Sequence, residues 1–591
     1  MKYKLRNNYS INPDEALIDI LKDRGVKDVE NFIKPSKKCE LNPYDLDNIK
    51  ETAERLLLHL RNNSRICFIQ DPDVDGVTSS AILWLYIKNI FPNANLEFTI
   101  HEGKQHGLED KIDWLIDEEQ FDLIICADSA SYDIEEHKRL HEIATDVICL
   151  DHHPPSEDKK TGELILPNSD WAYVVNNQLS PNYQNKSLCG AGIVYKFCEV
   201  LDDILGIQNA FNYIDLAALG EIADVMDKTN IETNYIMVEG LRNIKNKGFQ
   251  TLLEAQSFSL KEKAIYPYEN LTTIDIAFYI APLINAIIRV GTYTEKENLF
   301  YCFIEPERPV KSTKRGAKEG DIELAAEATA RCGSNAKSRQ KRIQEKAIDI
   351  IDFKIQKNEL DKNNIIFVEL DADDDIPREM TGLIAMQIVS KYHKPVMLGR
   401  KNDLGEIQGS ARSDNNFEGL PSFKEFLEQS GLVTYVAGHE GAFGHGVSES
   451  KLDALIEYAN MHLNAEDFEN CYIVDYILDA SNDISQLLYS LASHPEYFGN
   501  HIDEIKVVIK NIELSSVMAM GANKDSMKIS YNDVDYVRFK DIDFVEKILQ
   551  NRMKKLTTLV RLNINEWMGK KSVQCFIDDY ELEEDTHKYD F

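Results

Sequence analysis

The chain has 591 residues, 43% hydrophobic and 28% charged, a composition typical of a globular protein with roughly three or four domains. Its formal net charge of -34 argues against nucleic acid as the first expected partner, because the phosphate backbone repels an acidic surface. The first residues do not resemble a signal peptide, and no run of about 18 apolar residues predicts a membrane span. We therefore expect a cytoplasmic protein that does not act on a membrane.

The ten cysteines show neither a CxxC pair nor the spacing of a zinc site. Three of them, Cys67, Cys126 and Cys149, lie inside apolar runs that resemble strands. We therefore expect buried, reduced thiols, without disulfides or structural zinc.

Strand-like and helical segments alternate in the first part of the chain. Strands are predicted at "RICFI", "NLEFTI", "FDLIICAD" and "TDVICLD", and helices at "SAILWLYIKNI", "EDKIDWLIDE" and "IEEHKRLHEI". This alternation predicts a parallel sheet covered by helices, and ligands of such sheets bind at the carboxyl ends of the strands.

The first predicted strand is followed by "DPDVDG", which places three carboxylates at alternate positions. An EF-hand calcium loop begins in the same way, but it lies between two helices and needs a Glu at its twelfth position, which is Ile82 here. Acids also end two other strands: Asp128 follows "LIICA", and Asp151 precedes His152 and His153. We therefore expect these carboxylates and the histidine pair to meet at one edge of the sheet.

Clustered carboxylates repel one another and raise one another's pKa unless cations lie among them. Several carboxylates with an imidazole suit Mn²⁺ or Mg²⁺, and a site of this size has room for two ions. A pair of such ions predicts a phosphoester hydrolase.

The segments "DPDVDG", "CADS", "DHHPP" and "ALGEIADVMD" resemble, in this order, the four motifs of the DHH phosphoesterase superfamily. The metal ligands that this resemblance implies are Asp71, Asp73, Asp75, Asp128, His152 and Asp224. It also implies two catalytic residues. Asp128 would bridge the ions, and His153 would stabilise charge or donate a proton at the scissile phosphate.

Within the superfamily, the chain most resembles the RecJ group of single-strand-specific 5'-to-3' exonucleases over nearly its whole length. The matching segments are "ILKDRGVKDVENFIKP", "LCGAGIVYKF", "APLINAIIR", "GLIAMQIVSKYHKPVML", "GSARS", "GHEGAFGHG" and "LNINEWMGKKSVQCFIDD". The implied fold class is α/β: a parallel-sheet DHH domain, a long linking helix, a smaller α/β DHH-associated domain and a C-terminal OB-like β-barrel. The expected boundaries are 1–60 for an N-terminal helical region, 61–300 for the DHH catalytic domain, 301–358 for the basic linking helix region, 359–463 for the DHH-associated substrate-binding domain, 464–580 for the OB-like domain and 581–591 for an acidic tail.

The resemblance also implies a set of nucleic-acid and phosphate contacts: Asn285, Arg289, Ser410, Arg412, Gly438, His439 and Trp567. Glycines let backbone amides approach a phosphate, and Arg412 can bind one through two N–H groups. Trp567 is either part of a base-stacking surface or a core residue.

The chain departs from the RecJ pattern at residues that would contact a 5'-phosphate. Leu283 stands where an arginine is usual, His101 lies near the position of another arginine, and His106 stands where a tyrosine is expected. No histidine precedes "GLIAMQ". These departures affect the expected end preference and leave the metal ligands intact.

Basic residues concentrate between residues 311 and 346. They form either a solvated helix face or the lining of a groove. The second interpretation would reconcile DNA binding with the negative net charge of the whole chain. The acidic tail "DDYELEEDTHKYDF" is predicted to be disordered, with docking on a basic partner as the alternative.

We expect a monomeric exonuclease of single-stranded DNA that uses two Mn²⁺ or Mg²⁺ ions in DNA recombination, repair or replication, with a single-stranded-DNA-binding protein or a helicase as its protein partner. One alternative is a DHH phosphodiesterase of short oligonucleotides or cyclic dinucleotides, which the chain length and the OB-like end disfavour. The other is a non-catalytic replication scaffold, which the intact carboxylates and histidines disfavour. A chain that ends near Leu463 keeps every implied metal ligand, so we expect it to cleave very short oligonucleotides.

Overall fold

The structure is a computed structural model that describes residues 1–101, 103, 105–155, 164–402, 405–567 and 569–583, apart from the side chain of Trp567. The chain forms two compact units. The first comprises Leu21–Ser338 with Pro495–Asp503, and the second comprises Met1–Ile20, Arg339–His494 and Glu504–Phe591. The helix Ala325–Lys357 begins in the first unit and ends in the second, as expected of a linking helix.

A parallel five-stranded sheet forms the centre of the first unit. Its strands pair in the order Asn95–Ile100, Arg65–Gln70, Leu123–Ala127, Asp146–Asp151 and Tyr173–Asn176. The first four are the predicted strands, whereas the fifth was not predicted because it has only four residues. The next strand in sequence, Asn95–Ile100, pairs with one side of Arg65–Gln70, and the strand after that, Leu123–Ala127, pairs with its other side. The adjoining ends of Arg65–Gln70 and Leu123–Ala127 therefore border the crevice in which such sheets bind ligands.

Two hydrophobic clusters cover the two faces of this sheet. Ile66 and Phe68 belong to the larger cluster, whereas Cys67 and Ile69 belong to the smaller one. This alternation follows from the two-residue period of a strand, and it explains why a fully buried strand reads as a continuous apolar run. The α-helices of the first unit are Val29–Ile33, Ile49–Arg61, Val74–Ile90, Ile112–Asp117, Ile134–Glu142, Gly190–Leu205, Ile214–Ala223, Ile231–Arg242, Lys247–Ala255, Ser257–Leu260, Thr273–Asp275, Ala281–Val290 and Tyr293–Ile304.

One stretch of the described residues, Thr273–Val290, is long and apolar enough to cross a membrane, judged by length and composition. A π-helical segment, Ile276–Ile280, joins its two α-helical parts. Ile280, Ile284 and Ile287 belong to the larger hydrophobic cluster, and 56% of the stretch is buried inside the structure. Its apolar character is therefore that of a core helix.

The second unit contains a mixed sheet of five strands. The strands pair in the order Val433–His439, Ala442–Ser448, Glu406–Arg412, Val396–Lys401 and Ile366–Glu369, and only the last pair is parallel. The associated helices are Thr381–Tyr392, Phe423–Ser430 and Glu449–His462. This is the smaller α/β domain that the resemblance implies.

A seven-stranded sheet follows in the same unit. Its strands pair in the order Tyr476–Asp479, Lys506–Glu513, Lys555–Trp567, Lys570–Leu582, Val534–Arg538, Ser526–Tyr531 and Val517–Met520. The helices Ser485–Ala492 and Ile542–Gln550 accompany it. The amino terminus also contributes a strand, since Lys2–Leu5 pairs in parallel with Cys471–Val474.

All ten cysteines are free and buried, which confirms the predicted burial of the thiols.

Candidate metal centre

Seven carboxylate and imidazole side chains meet at the carboxyl edge of the parallel sheet. Their ligand atoms form three groups, and within each group they lie within 4.8 Å of one another. The groups are Asp71, Asp73 and Asp128; Asp75, His152 and Asp224; and Asp128, His152 and His153. The structure therefore brings together all six implied metal ligands and His153, and Asp128 and His152 each belong to two of the three groups.

The "DPDVDG" segment forms the turn between the strand Arg65–Gln70 and the helix Val74–Ile90. Asp73 is the N-cap of this helix, and its Oδ1 accepts a hydrogen bond of 2.8 Å from the N–H of Gly76. A Cβ atom on Gly76 would lie 2.6 Å from the backbone oxygen of Asp71, so only glycine lets the turn close this tightly. The strand, turn and helix exclude the EF-hand alternative.

Asp75 is held by the amino terminus of another helix, Gly190–Leu205. The N–H groups of Gly190 and Ala191 donate hydrogen bonds of 2.6 and 2.9 Å to its two carboxylate oxygens. The free N–H groups and positive end of a helix favour a carboxylate at this position. Asp75 therefore keeps a fixed orientation although it is buried.

Asp128 follows the strand Leu123–Ala127 with a φ angle of +77°, a region that residues other than glycine seldom adopt. Its N–H donates a hydrogen bond of 2.7 Å to the carbonyl of Leu150 on the neighbouring strand. Such sparsely populated conformations persist where the surrounding structure imposes them, and they cluster at ligand sites.

The cluster carries more negative charge than its surroundings can stabilise. Burial, followed by repulsion from neighbouring carboxylates, raises the pKa of Asp73 to about 6 and that of Asp224 to about 8. The same two causes raise the pKa of Asp128 well above its ordinary value. Oδ1 of Asp71 and Oδ1 of Asp128 are buried, and neither accepts a hydrogen bond from any described residue. Buried carboxylate oxygens that accept no hydrogen bond are the ligand atoms that hard divalent cations prefer, so the residues present fit Mn²⁺ or Mg²⁺.

His152 is suited to bind a metal as a neutral imidazole. Its Nε2 lies 3.2 Å from Oδ1 of Asp128 and 3.5 Å from Oδ2 of Asp224. Burial lowers the pKa of His152, which favours the uncharged ring. A neutral imidazole nitrogen beside two carboxylate oxygens forms a mixed ligand set of the kind that Mn²⁺ accepts.

His153, in contrast to His152, has a raised pKa. Its Nδ1 lies 2.7 Å from Oδ1 of Asp151, which is buried. Burial works to lower the pKa of His153, but the hydrogen bond and the charge of Asp151 outweigh it and raise the pKa to about 9. His153 is therefore an imidazolium at neutral pH, and about half of its side chain is exposed. Sequence reasoning placed Asp151 on the rim but gave it no role, although an acid directly before two histidines was a usable signal.

The departures from the RecJ pattern have distinct structural consequences. Nδ1 of His106 lies 2.6 Å from Oδ2 of Asp71, so His106 orients a predicted metal ligand. His101 is instead buried, with its Nδ1 2.9 Å from Asp110. Leu283 is also buried, and its Cβ lies 3.2 Å from where a Cβ on Gly333 would stand. Of the three, only His106 lies at the metal centre. Its contact with Asp71 could not be predicted, because the two residues are 35 positions apart in the sequence.

Asn285 and Arg289 lie one helical turn apart on Ala281–Val290, and both are partly exposed. Within the described part of the chain, the Arg289 guanidinium has neither a hydrogen bond nor an ion pair. Burial lowers the pKa of Arg289, since no carboxylate stabilises its charge. An unpaired guanidinium in so acidic a chain is available to a phosphate.

The second unit contains the other predicted phosphate contacts. Arg412 and Ser410 lie on Glu406–Arg412, beside the amino terminus of the helix Thr381–Tyr392. The hydroxyls of Ser410 and Thr381 lie 2.8 Å apart, and a Cβ on Gly382 would lie 2.3 Å from Nη2 of Arg412.

Arg412 donates hydrogen bonds to the carbonyls of Ala411 and Phe443, and burial lowers its pKa. Gly438, with φ of +133°, and the exposed His439 end the strand Val433–His439. The side chain of Trp567 lies outside the described residues, so its interpretation stays a prediction.

Comparison with known proteins agrees with this architecture. The chain matches the DHH family, N-terminal domain, over residues 65–221 and the RecJ OB domain over residues 474–579. It is 35% identical over 599 aligned residues to YorK of Bacillus phage SPbeta, a candidate single-strand DNA-specific exonuclease, and the alignment covers 99% of this chain and 98% of that protein. It is 25% identical to the single-stranded-DNA-specific exonuclease RecJ of Bacillus subtilis, over 92% of this chain and 64% of that protein.

The crystal structure of Thermus thermophilus RecJ in complex with Mn²⁺ has a similar fold. The TM-score is 0.69 at 20% sequence identity, and the superposition covers 96% of this chain and 75% of that chain. The 35% identity to YorK over nearly the whole of both chains, with the two domain matches, shows that the chain belongs to the RecJ-like single-strand-specific exonucleases of the DHH superfamily. The predicted family and fold class are confirmed.

Proposed function

We propose that the chain hydrolyses phosphodiester bonds of single-stranded DNA with two Mn²⁺ or Mg²⁺ ions and removes nucleotides from the 5' end. The observation that carries the proposal is the convergence of seven ligand-bearing side chains, including two buried carboxylate oxygens without hydrogen-bond partners among the described residues. The exonuclease names of the relatives and the RecJ OB domain match support the choice of substrate.

The residues divide into two sets for holding the ions. Asp71, Asp73 and Asp128 form one set, and Asp75, His152 and Asp224 form the other. Bound Mn²⁺ or Mg²⁺ would lower the pKa of a water molecule and neutralise the charge that develops on the phosphate under attack.

His153 supplies the proton chemistry. Asp151 fixes its ring through Nδ1, so Nε2–H can donate a hydrogen bond to a phosphate oxygen or give its proton to the leaving oxygen. A general acid needs a pKa at or above the working pH, and the pKa of about 9 satisfies that need.

Two groups of residues hold the strand in this proposal. Asn285 and Arg289 contact phosphates in the first unit, and Ser410 and Arg412, with the glycine-rich end of Val433–His439, contact phosphates in the second. Residues 474–579 supply the single-strand-binding surface that is typical of OB folds. We place the activity in the cytoplasm, in DNA recombination, repair or replication.

The test is digestion of a single strand labelled at the 5' or the 3' end, with Mn²⁺ and with Mg²⁺. We expect the 5' label to appear first as a mononucleotide with either metal, and chelation to stop the reaction. Asp128→Asn should abolish the activity. In metal-free protein the same change should raise the melting temperature, because it removes a carboxyl group whose ionisation is opposed by burial and by the neighbouring carboxylates. Near-normal turnover of Asp128→Asn would contradict the two-metal assignment, and release of the 3' label first would contradict the polarity.

A further inference from the structure

A short segment of the carboxyl-terminal region belongs to the metal-binding unit. Pro495–Asp503 packs with the first unit, although the residues on both sides of it, up to His494 and from Glu504 onward, belong to the second. In sequence it lies between the helix Ser485–Ala492 and the strand Lys506–Glu513.

This segment holds the loop that carries Asp224. Nδ2 of Asn500 donates hydrogen bonds of 3.3 Å to the carbonyls of both Glu221 and Ile222, at the end of the helix before Asp224. The carbonyl of Asn500 accepts a hydrogen bond of 3.2 Å from the N–H of Lys228, which follows Asp224. Asn500 therefore joins the two ends of the loop that contains the predicted ligand.

Further contacts fix the segment on the first unit. Nζ of Lys228 donates a hydrogen bond of 2.5 Å to the carbonyl of Glu496, and the hydroxyl of Thr273 donates one of 3.1 Å to the carbonyl of Phe498. The ring of Tyr497 lies 6.0 Å from that of Phe32. The segment is thus anchored on both sides of Asn500.

Asp224 needs such support more than the other predicted ligands do. Its side chain is 34% exposed, and within the described residues no N–H or O–H group donates a hydrogen bond to its carboxylate. The next residue, Val225, is 55% exposed and has a strained φ angle of +55°. Asp75, by contrast, is fixed by two backbone donors.

We infer that Asn500 is a positioning residue for Asp224, so that a segment of the carboxyl-terminal region completes the metal centre. The inference rests on the proposed role of Asp224 as a ligand. Groups that orient metal ligands typically change metal affinity by about 10- to 100-fold when they are removed. Loss of the two Nδ2 hydrogen bonds should therefore weaken metal binding at the set that contains Asp224 and leave the fold in place.

The experiment is a Mn²⁺ titration of the full-length, metal-free protein without DNA, followed by electron paramagnetic resonance of the free ion. We expect Asn500→Ala to weaken one of the two Mn²⁺ sites by about 10-fold. Asn500→Asp should weaken it at least as much, because its oxygens would face two carbonyl oxygens. His501→Ala is the matched control, since His501 is the exposed neighbour and also has a positive φ angle, of +71°. It should bind Mn²⁺ as the unmodified chain does.

Asp224→Ala is the reference that separates the ligand role of Asp224 from the positioning role of Asn500. If Asp224→Ala weakens a Mn²⁺ site but both Asn500 variants bind normally, the positioning role is wrong while the ligand assignment stands. If Asp224→Ala also binds normally, the ligand assignment itself is wrong.

Saturating Mn²⁺ should restore the nuclease activity of Asn500→Ala, which a loss of folded protein would not allow. If Asn500→Ala does not fold, the nearly isosteric Thr273→Val, which frees the same segment at Phe498, should weaken the same site, and unchanged binding would overturn the inference.

Discussion

A Cβ atom on Gly190 would lie 2.5 Å from Cβ of Asp128, closer than two such atoms can approach. The N–H of the same glycine donates a hydrogen bond of 2.6 Å to Asp75. One residue without a side chain thus allows a helix terminus to reach two predicted metal ligands at once.

Gly190→Ala should therefore displace the helix terminus from both carboxylates. We expect Mn²⁺ affinity to fall by at least about 10-fold and single-strand hydrolysis to fall with it. Calorimetric titration of the metal-free protein measures the change. The control is Gly206→Ala, which caps the other end of the same helix with φ of +67° and has nothing within 4 Å of an added Cβ. It should lose about 1 kcal/mol of stability and keep its metal affinity.

His153 gives a prediction about rate. His153→Gln should lower kcat by about 10²- to 10⁴-fold, the usual contribution of a positioned acid, without weakening Mn²⁺ binding. Single-turnover digestion and a Mn²⁺ titration on the same preparation separate the two effects. His141→Gln, at an exposed histidine near the end of the helix Ile134–Glu142, is the control and should change neither quantity. Loss of metal affinity in His153→Gln would make His153 a ligand and would contradict the assigned role.

Lys228 gives a prediction about pH. It is fully buried, and burial lowers its pKa from 10.5 to about 7, against the opposing charge of Glu496. Between pH 7 and 10.5 the unfolded chain therefore binds more protons at this residue than the folded chain does, so stability rises with pH across this window. The cost of burying the charge is greatest below pH 7.

Lys228→Met should remove that dependence. Urea unfolding of both proteins at pH 7.5 and 9.5 should show that the wild-type free energy of unfolding gains roughly 1.4 kcal/mol per pH unit relative to the variant. Equal gains in both proteins would mean that Lys228 keeps an ordinary pKa in the folded chain. The backbone N–H of residue 228 is unchanged, so its hydrogen bond to Asn500 remains.

The sequence was sufficient to predict features that depend on neighbouring residues. The carboxylates of "DPDVDG" follow a strand directly, and the two-residue period and apolar run of Arg65–Gln70 can be read locally. Parallel strands end at a common edge, so the meeting of Asp71, Asp128 and His152 followed from the predicted alternation of strands and helices.

Contacts between distant residues could not be predicted in the same way. Gly190 reaches Asp75 across 115 residues, and Asn500 reaches Glu221 across 279. The expectation that a chain ending near Leu463 still cleaves short strands counted only the metal ligands. The structure places Pro495–Asp503 in the metal-binding unit, so such a chain would also lose the support of Asp224. No local pattern marks a loop that packs on a separate unit.

Arg412 gives the last prediction. Its guanidinium is partly buried beside Gly382, and within the described residues its hydrogen bonds go to carbonyl groups rather than to a carboxylate. A cation without a counter-charge, next to a helix amino terminus and the hydroxyl of Ser410, is suited to a phosphate.

Arg412→Ala should weaken binding of a 5'-phosphorylated strand by about 10- to 100-fold, since hydrogen bonds to charged groups contribute roughly 1.5–3 kcal/mol. The slope of log K against log salt should fall by about one, because one phosphate contact is lost. Fluorescence anisotropy across a salt series measures both quantities on 5'-phosphorylated and 5'-hydroxyl strands.

Lys451→Ala is the control, because it removes one positive charge from an exposed site on the helix Glu449–His462, in the same unit and outside residues 474–579. It should change the slope little. A larger loss for the phosphorylated strand than for the hydroxyl strand would show that Arg412 contacts the terminal phosphate, whereas equal losses would show that it contacts an internal one. Unchanged affinity and slope for both strands would show that Arg412 only braces the sheet through its carbonyl contacts.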